Sequence, residues 1–283
     1  MKSYNYKQIG IILLLIFVFQ NCATNPFTGK RTMALTPNSS IFPMSFSSYE
    51  QVISESNVIK EGPQADMIRK IGQDIAEASV KWLDANGYEG YTKNYAWEFS
   101  LIDENVINAW AMPGGKIAFY TGILPIAQNQ NGIATIMGHE VAHALANHGQ
   151  QRMSAGLVQQ SLGAVGALAL SSNERNMETF MLAYGIGSQV GIMLPFSRNH
   201  ETEADEIGLK LMAIAGYNPD EGAELWKRMG AASGGSSTPQ FMSTHPSTDS
   251  RVKNLEKQAD VARKEAEKFG VTTFQANQAI PGV

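Results

Sequence analysis

A single cysteine, Cys22, stands among 283 residues, so no internal disulfide can staple this chain. An excess of charge of one sign is missing as well. With 22 Lys and Arg against 26 Asp and Glu, the net charge of -4 offers no phosphate-binding surface and argues against nucleic acid as a partner. Long apolar runs are missing too. The run from Ile9 to Phe19 would cover only about 16 Å of a roughly 30 Å hydrocarbon layer, too little to span it comfortably. What the chain does contain is 43% hydrophobic residues, enough for a buried core and too many for a disordered polymer.

Lys2 and Lys7 precede that short apolar run, the order of a secretory signal, and residues 1–21 are set aside from the fold on that ground. Cys22 follows directly. Its placement resembles a bacterial lipoprotein signal, in which the cysteine becomes the acylated first residue; the plainer alternative is a cleaved or anchoring segment with an incidental thiol. Residues 22–50, rich in Pro, Ser, Thr and Asn, read as a lipid tether and irregular wrap. Residues 51–270 carry the periodic segments, and 271–283 read as a tail.

Ile68, Ile71, Ile75, Ala78 and Trp82 recur at helical steps closed by Asn86-Gly87. Trp97, Phe99 and Leu101 alternate with polar residues and predict a half-buried strand, and two further strands flank Pro113-Gly114-Gly115. Beyond Gly122 the pattern is helical, with breaks at Asn147 to Gly149, Ser171 to Asn173, Pro195, Gly216 to Pro219 and Ser233 to Ser237. A small sheet followed by helices predicts an α+β, mainly helical fold. Met177, Met181 and Met193 read as core filler.

One apolar helix carries polar residues that need a reason. Between Ile133 and Ala146 stand His139, Glu140 and His143, the pattern H-E-x-x-H. Random placement would give only ~0.006 such triplets in a chain of this composition. Four residues advance a helix by about 400°, so the two imidazoles share one face and can grip one ion. Neutral imidazole suits Zn²⁺, and Glu140, about 100° round the helix from His139, can face an open metal position as a general base. Two imidazoles leave zinc a ligand short. Glu201 is the candidate, after Pro195 where a new helix should begin, and Asp205 one turn on shares its face and could hold the back nitrogen of a ligating histidine. The bland alternative for this pair is an acidic first turn complementing a helix dipole.

With both motifs in hand, the chain resembles the M48 zinc metallopeptidases, in particular soluble periplasmic lipoprotein members, over about Asn105 to Leu255. The resemblance implies a zincin-like gluzincin domain over 51–270 with its small sheet beside the active-site helix, and one zinc ion per chain. His139, His143 and Glu201 would be ligands and Asp205 their support. It also implies an endopeptidase in which a zinc-activated water is deprotonated by Glu140. Asn108, Ala109, Trp110, Ala111 and Met112 look like the family's strand beside the cleft, either a substrate-binding edge or simply an interior strand.

Thr244-His245-Pro246-Ser247 with Arg251 looks like a late motif of the same family. His245 could hold a fourth position as a latch, act on the transition state, or be a turn residue. Arg251 could orient a carboxylate or an oxyanion, or be an exposed charge. His148 and His200 are expected on other faces. The implied clients are unfolded or misassembled proteins of a bacterial cell envelope, on the periplasmic side, with a lipid anchor in the outer membrane. A chaperone or assembly factor using the same cleft with little cleavage is the alternative.

Overall fold

The structure, a computed structural model, describes residues 22–170, 194–232, 239–246 and 248–283. The signal segment 1–21, the breaks at 171–173 and 233–237, the three methionines above and Ser247 lie outside the described residues. Two compact units divide the chain: Met1–Ile41 with Asn147–Arg198, and Phe42–Ala146 with Asn199–Val283. The stretch expected as a single 51–270 domain is therefore interrupted. Residues 147–198 group with the amino-terminal segment, while 42–50 and 271–283 group with the unit that carries the candidate site.

In the first unit, β1 (Cys22–Thr24) pairs antiparallel with β2 (Arg31–Met33), so Cys22 lies opposite Met33 in a hairpin rather than in a free tether. Gln150 donates to the Thr36 carbonyl, and the Leu35 amide donates to Ser154 Oγ. No helix among the described residues is long and apolar enough to cross a membrane.

The expected irregular wrap also gives way to helix. α1 (Asn38–Glu55) forms despite Pro43, because Phe42, Ser45 and Tyr49 lie on one buried face. Packing overrides a weak local preference. Ser45 Oγ donates to the Pro113 carbonyl, and Tyr49 Oη lies 2.7 Å from Ser100 Oγ. α2 (Pro63–Ala85) opens with proline in its first turn, where a missing amide hydrogen costs nothing. Its predicted stripe, Ile68 to Trp82, is buried, and at Gly72 a Cβ would collide with the Phe99 ring.

That ring belongs to β3 (Glu98–Ile102), which pairs in parallel with β5 (Lys116–Tyr120); β5 pairs antiparallel with β4 (Ala109–Met112). The order β3-β5-β4 leaves β4 at an edge. β3 corrects the expected half-buried strand, since Phe99 through Ile102 are all buried, covered by α2 on one face. Gly114 and Gly115 turn β4 into β5 with φ of 85° and 90°, a region that favours glycine.

The helices after the sheet are α3 (Leu124–Ala127), α4 (Gln130–Leu145), α5 (His148–Leu170), α6 (Leu194–Ile214), α7 (Glu221–Ala232), α8 (Gln240–Thr244) and α9 (Asp249–Glu267). With the small mixed sheet they make the α+β class that the pattern predicted. The segment after α9 is no loose tail, because Ile280 is buried.

Candidate metal centre

α4 is apolar on nearly every side, the pattern of a helix enclosed by its neighbours. Its ends are fastened by side chains. Asn129 caps the amino end, its Oδ1 accepting from the amides of Asn131 and Gly132 at 2.9 and 3.0 Å. At the other end Tyr95 Oη donates to the Ala144 carbonyl and Tyr91 Oη to that of Leu145, at 3.1 and 2.8 Å. Carbonyls of a helix's last turn lack the regular intrahelical partner, so such donors help to satisfy them. Burial pushes the Tyr95 hydroxyl well above its ordinary pKa, so it stays a donor.

α6 crosses α4 glycine to glycine. A Cβ on Gly208 would sit 2.7 Å from the Gly138 carbonyl carbon and 2.8 Å from the His139 nitrogen. This contact brings Glu201 and Asp205 to the face of α4 that holds His139 and His143. His139 Nε2 and His143 Nε2 face each other at 3.0 Å. Glu201 Oε2 lies 3.3 Å from His139 Nε2, and Oε1 lies 3.4 Å from His143 Nε2. Edges of a zinc tetrahedron with bonds of about 2.0 to 2.1 Å measure about 3.3 to 3.4 Å. The donor set fits the ion in type and spacing.

His139 Nδ1 donates to Asp205 Oδ1 at 2.9 Å, which turns the Nε2 lone pair inward. Burial opposes charge on this imidazole, but the Asp205 and Glu201 carboxylates outweigh it and hold its pKa up at about 9. Burial likewise works against charge on Glu201 and Asp205. Contacts with His139, His143 and His245 nevertheless hold Glu201 well below the usual carboxylate range, and the Arg251 charge with His139 lowers Asp205. Arg251 grips Asp205 as a fork, Nε to Oδ2 and Nη2 to Oδ1 at 2.7 Å each, while its Nη1 donates to the Pro246 carbonyl. It is buried with its guanidinium 3.5 Å above the Trp226 ring. Of the roles open to Arg251, this geometry is that of orienting a carboxylate.

His245 also enters the cluster. Its Nδ1 donates to Glu201 Oε2 at 2.6 Å and lies 3.1 Å from His139 Nε2. His139, His143, Glu201 and His245 thus offer four donor atoms within 4.8 Å of one another. The Phe241 ring lies 4.6 Å from that of His245 and packs on Trp226, a wall that no motif announced. The hint was two aromatics, Trp226 and Phe241, on the helices that flank the break at Ser233 to Ser237. His200 is buried beside Glu201 but outside the cluster, and His148 belongs to the other unit.

Glu140, next in the chain after His139, is buried. Burial raises its pKa, partly countered by His245 and His139 and by the Ala111 backbone N–H. Its Oε1 and Glu201 Oε1 are buried without a hydrogen-bond partner among the described residues. Leaving two such oxygens dry costs several kcal/mol, about 1 to 3 each or more, which a cation and its water would relieve. The Tyr120 amide donates to the Asn108 carbonyl, so Asn108, Trp110 and Met112 turn their main-chain groups toward β5, and Ala109 and Ala111 turn theirs away from it, the Ala111 N–H toward Glu140. Ala109 is buried, and Trp110, Ala111 and Met112 are half-buried.

Comparison with known proteins points the same way. The chain is 35% identical over 182 residues to the mitochondrial metalloendopeptidase OMA1 of Schizosaccharomyces pombe, covering 62% of this chain and 51% of that protein. It is 33% identical over 202 residues to the Saccharomyces cerevisiae OMA1, covering 69% and 56%. To the beta-barrel assembly-enhancing protease of Escherichia coli it is 29% identical over 175 residues, covering 59% and 35%. The chain thus spans about half the length, or less, of these relatives. The profile of Peptidase family M48 matches residues 73–259, a range that contains every member of the metal cluster, and the chain belongs to that family.

Proposed function

We propose that this chain is a zinc-dependent endopeptidase acting on unfolded or misassembled proteins of a bacterial cell envelope. The carrying observation is Glu140 Oε1, buried without a hydrogen-bond partner among the described residues, 3.7 Å from His245 Nε2 and beside four converging metal donors. His139, His143 and Glu201 would hold the ion. Held there, the ion would supply Lewis-acid polarisation of a peptide carbonyl and of a water. Glu140 takes up a proton at Oε1 and returns it to the leaving amine, a task suited to a carboxyl whose pKa burial has raised. Asp205 keeps His139 in the ligating tautomer, and Arg251 keeps Asp205 in place. The main-chain groups of Ala109 and the Ala111 carbonyl, which face away from β5, would align an extended client through its main chain, which recognises backbone more than sequence.

His245 fills the remaining side of the cluster, and we take it as a latch that must withdraw before a client enters. This closure is also what favours the second reading, a chaperone or assembly factor that binds clients with little cleavage. Location and anchoring belong to the same proposal: a periplasmic protein tethered to the outer membrane through acylated Cys22. The relatives named above include mitochondrial proteins as well as a bacterial one, which supports the chemistry more than the compartment.

The test is Glu140→Gln, assayed for zinc content and for cleavage of an unfolded protein. Full zinc occupancy with hydrolysis lost by a factor of about 10² or more supports the peptidase. Undiminished cleavage removes Glu140 from the chemistry. Wild-type protein that binds the client and never cleaves it establishes the second reading.

A further inference from the structure

Gln275 to Pro281 lie across the ends of both ligand-bearing helices. At the amino end of α4, the Gln130 amide donates to the Gln278 carbonyl at 2.9 Å and the Ile280 amide to the Gln128 carbonyl at 3.2 Å, so Asn129 and Ala279 pair as antiparallel strands do. Gln130 is the first residue of α4, and its amide has no acceptor within the helix. Asn131, fully buried, donates from Nδ2 to the Gln275 carbonyl and to Asn277 Oδ1, at 3.1 and 2.7 Å. At the carboxyl end of α6, the Gln275 amide donates to the Gly216 carbonyl at 2.9 Å, and Asn131 Oδ1 accepts from the Asn218 amide at 3.0 Å. Ile280 is 2% exposed, and Gln64 Nε2 donates to the Pro281 carbonyl.

A crossing made by Gly138 and Gly208 lets α4 and α6 come close, and around it the helices also meet through Thr135 Oγ1 on the Met212 sulfur at 3.6 Å and His139 on Asp205 at 2.9 Å. Those contacts lie mid-helix, and a tie between the helix ends would further fix how far one helix stands along the other. The ligands demand it, because zinc bonds of about 2.0 to 2.1 Å tolerate little slip. His139 lies nine residues beyond Gln130, about 14 Å along a rod that moves as one piece.

We propose that Gln275–Pro281 is a positioning strap, which ties the start of α4 to the end of α6 and so sets the register in which His139 and His143 meet Glu201. The strap touches neither metal nor client. It rests on the zinc centre described above and assigns that centre a remote determinant in the last residues of the chain.

Zinc affinity, measured by competition with a chromogenic chelator, tests this without reference to catalysis. The full chain, a chain ending at Val271 and Asn277→Ala are compared, with helical content and metal-free melting followed in parallel. The shortened chain should stay helical and lose zinc affinity about tenfold or more, the scale of losing support behind a metal ligand, and Asn277→Ala should lose less. A peptide of residues 272–283 added in trans should restore the affinity. Should the shortened chain fail to fold, Asn277→Ala and Gln130→Ala decide, the latter removing the bond from Gln130 Nε2 to the Ala276 carbonyl at 2.8 Å, and affinity unchanged in both overturns the strap. A folded shortened chain that melts earlier yet binds zinc like the full chain makes these residues a clamp for stability alone, which also overturns it. A full chain that binds no zinc instead overturns the metal centre itself.

Discussion

The helix bearing His139, Glu140 and His143 and the short helix that ends at His245 bring donors to one centre by opposite means. α4 has sixteen residues, nearly all buried, with side-chain caps at both ends and a glycine crossing beside His139. α8 has five residues, and its first turn is held by the Phe241 amide donating to the Ile107 carbonyl at 3.0 Å. His245 itself is kept in place by contacts with the other ligands and by the Phe241 ring. The comparison teaches which donors are built in and which is lent. Moving α4 would disrupt a core, whereas moving His245 disturbs one turn and a few polar contacts.

The hardest blow to this contrast is Gly208→Ala. Its Cβ would meet backbone of Gly138 and His139, which cannot step aside, so the helices must separate. We expect a loss of about 3 kcal/mol in urea unfolding, at the upper end for overpacking, together with weakened zinc binding. Native-like stability and zinc affinity in this variant would show the crossing to be loose.

Asn129→Ala comes next. It removes the cap of α4 and one donor to the buried Glu221, whose Oε1 accepts from Asn129 Nδ2 at 3.0 Å. The expected cost is about 1 to 2 kcal/mol, read from the same unfolding curves. A change below a few tenths would mean that the amino end of α4 is secured without it.

The mildest structural change should be His245→Ala. Unfolding of the metal-free protein should shift by less than about 1 kcal/mol, because His245, though buried, ends a short helix and its loss leaves Glu201 still beside His139, His143 and Arg251. Cleavage of an unfolded protein should rise. Cleavage that instead falls, with zinc still bound, would mean that His245 serves the transition state and that the two helices are not opposites in function.

The legible parts of the sequence were those with a local period. Ile68 to Trp82 repeat at helical steps and are buried as a stripe, and His139 and His143, like Glu201 and Asp205, share a face because they stand four residues apart. The helix through Pro43 was not legible, since its serines and proline argue locally for a loop and only the burial of Phe42 and Tyr49 overrules them. The buried β3 looked half-exposed because alternation in sequence carries no record of α2 lying across it. Residues 275–281 looked like a tail for a similar reason: Gln and Asn reveal nothing of their partners, which are the ends of distant helices.

By itself the sequence determined the chemistry available: two imidazoles and a base on one helical face, and a pair of carboxylates on another, because helical geometry turns spacing into direction. Only the tertiary structure decided that these faces meet, that Arg251 stands behind Asp205 rather than in solvent, and that His245 closes the ring of donors. Such meetings span from 44 to 106 residues of chain. They depend on packing at a glycine crossing and on hydrogen bonds between elements, which no local pattern records.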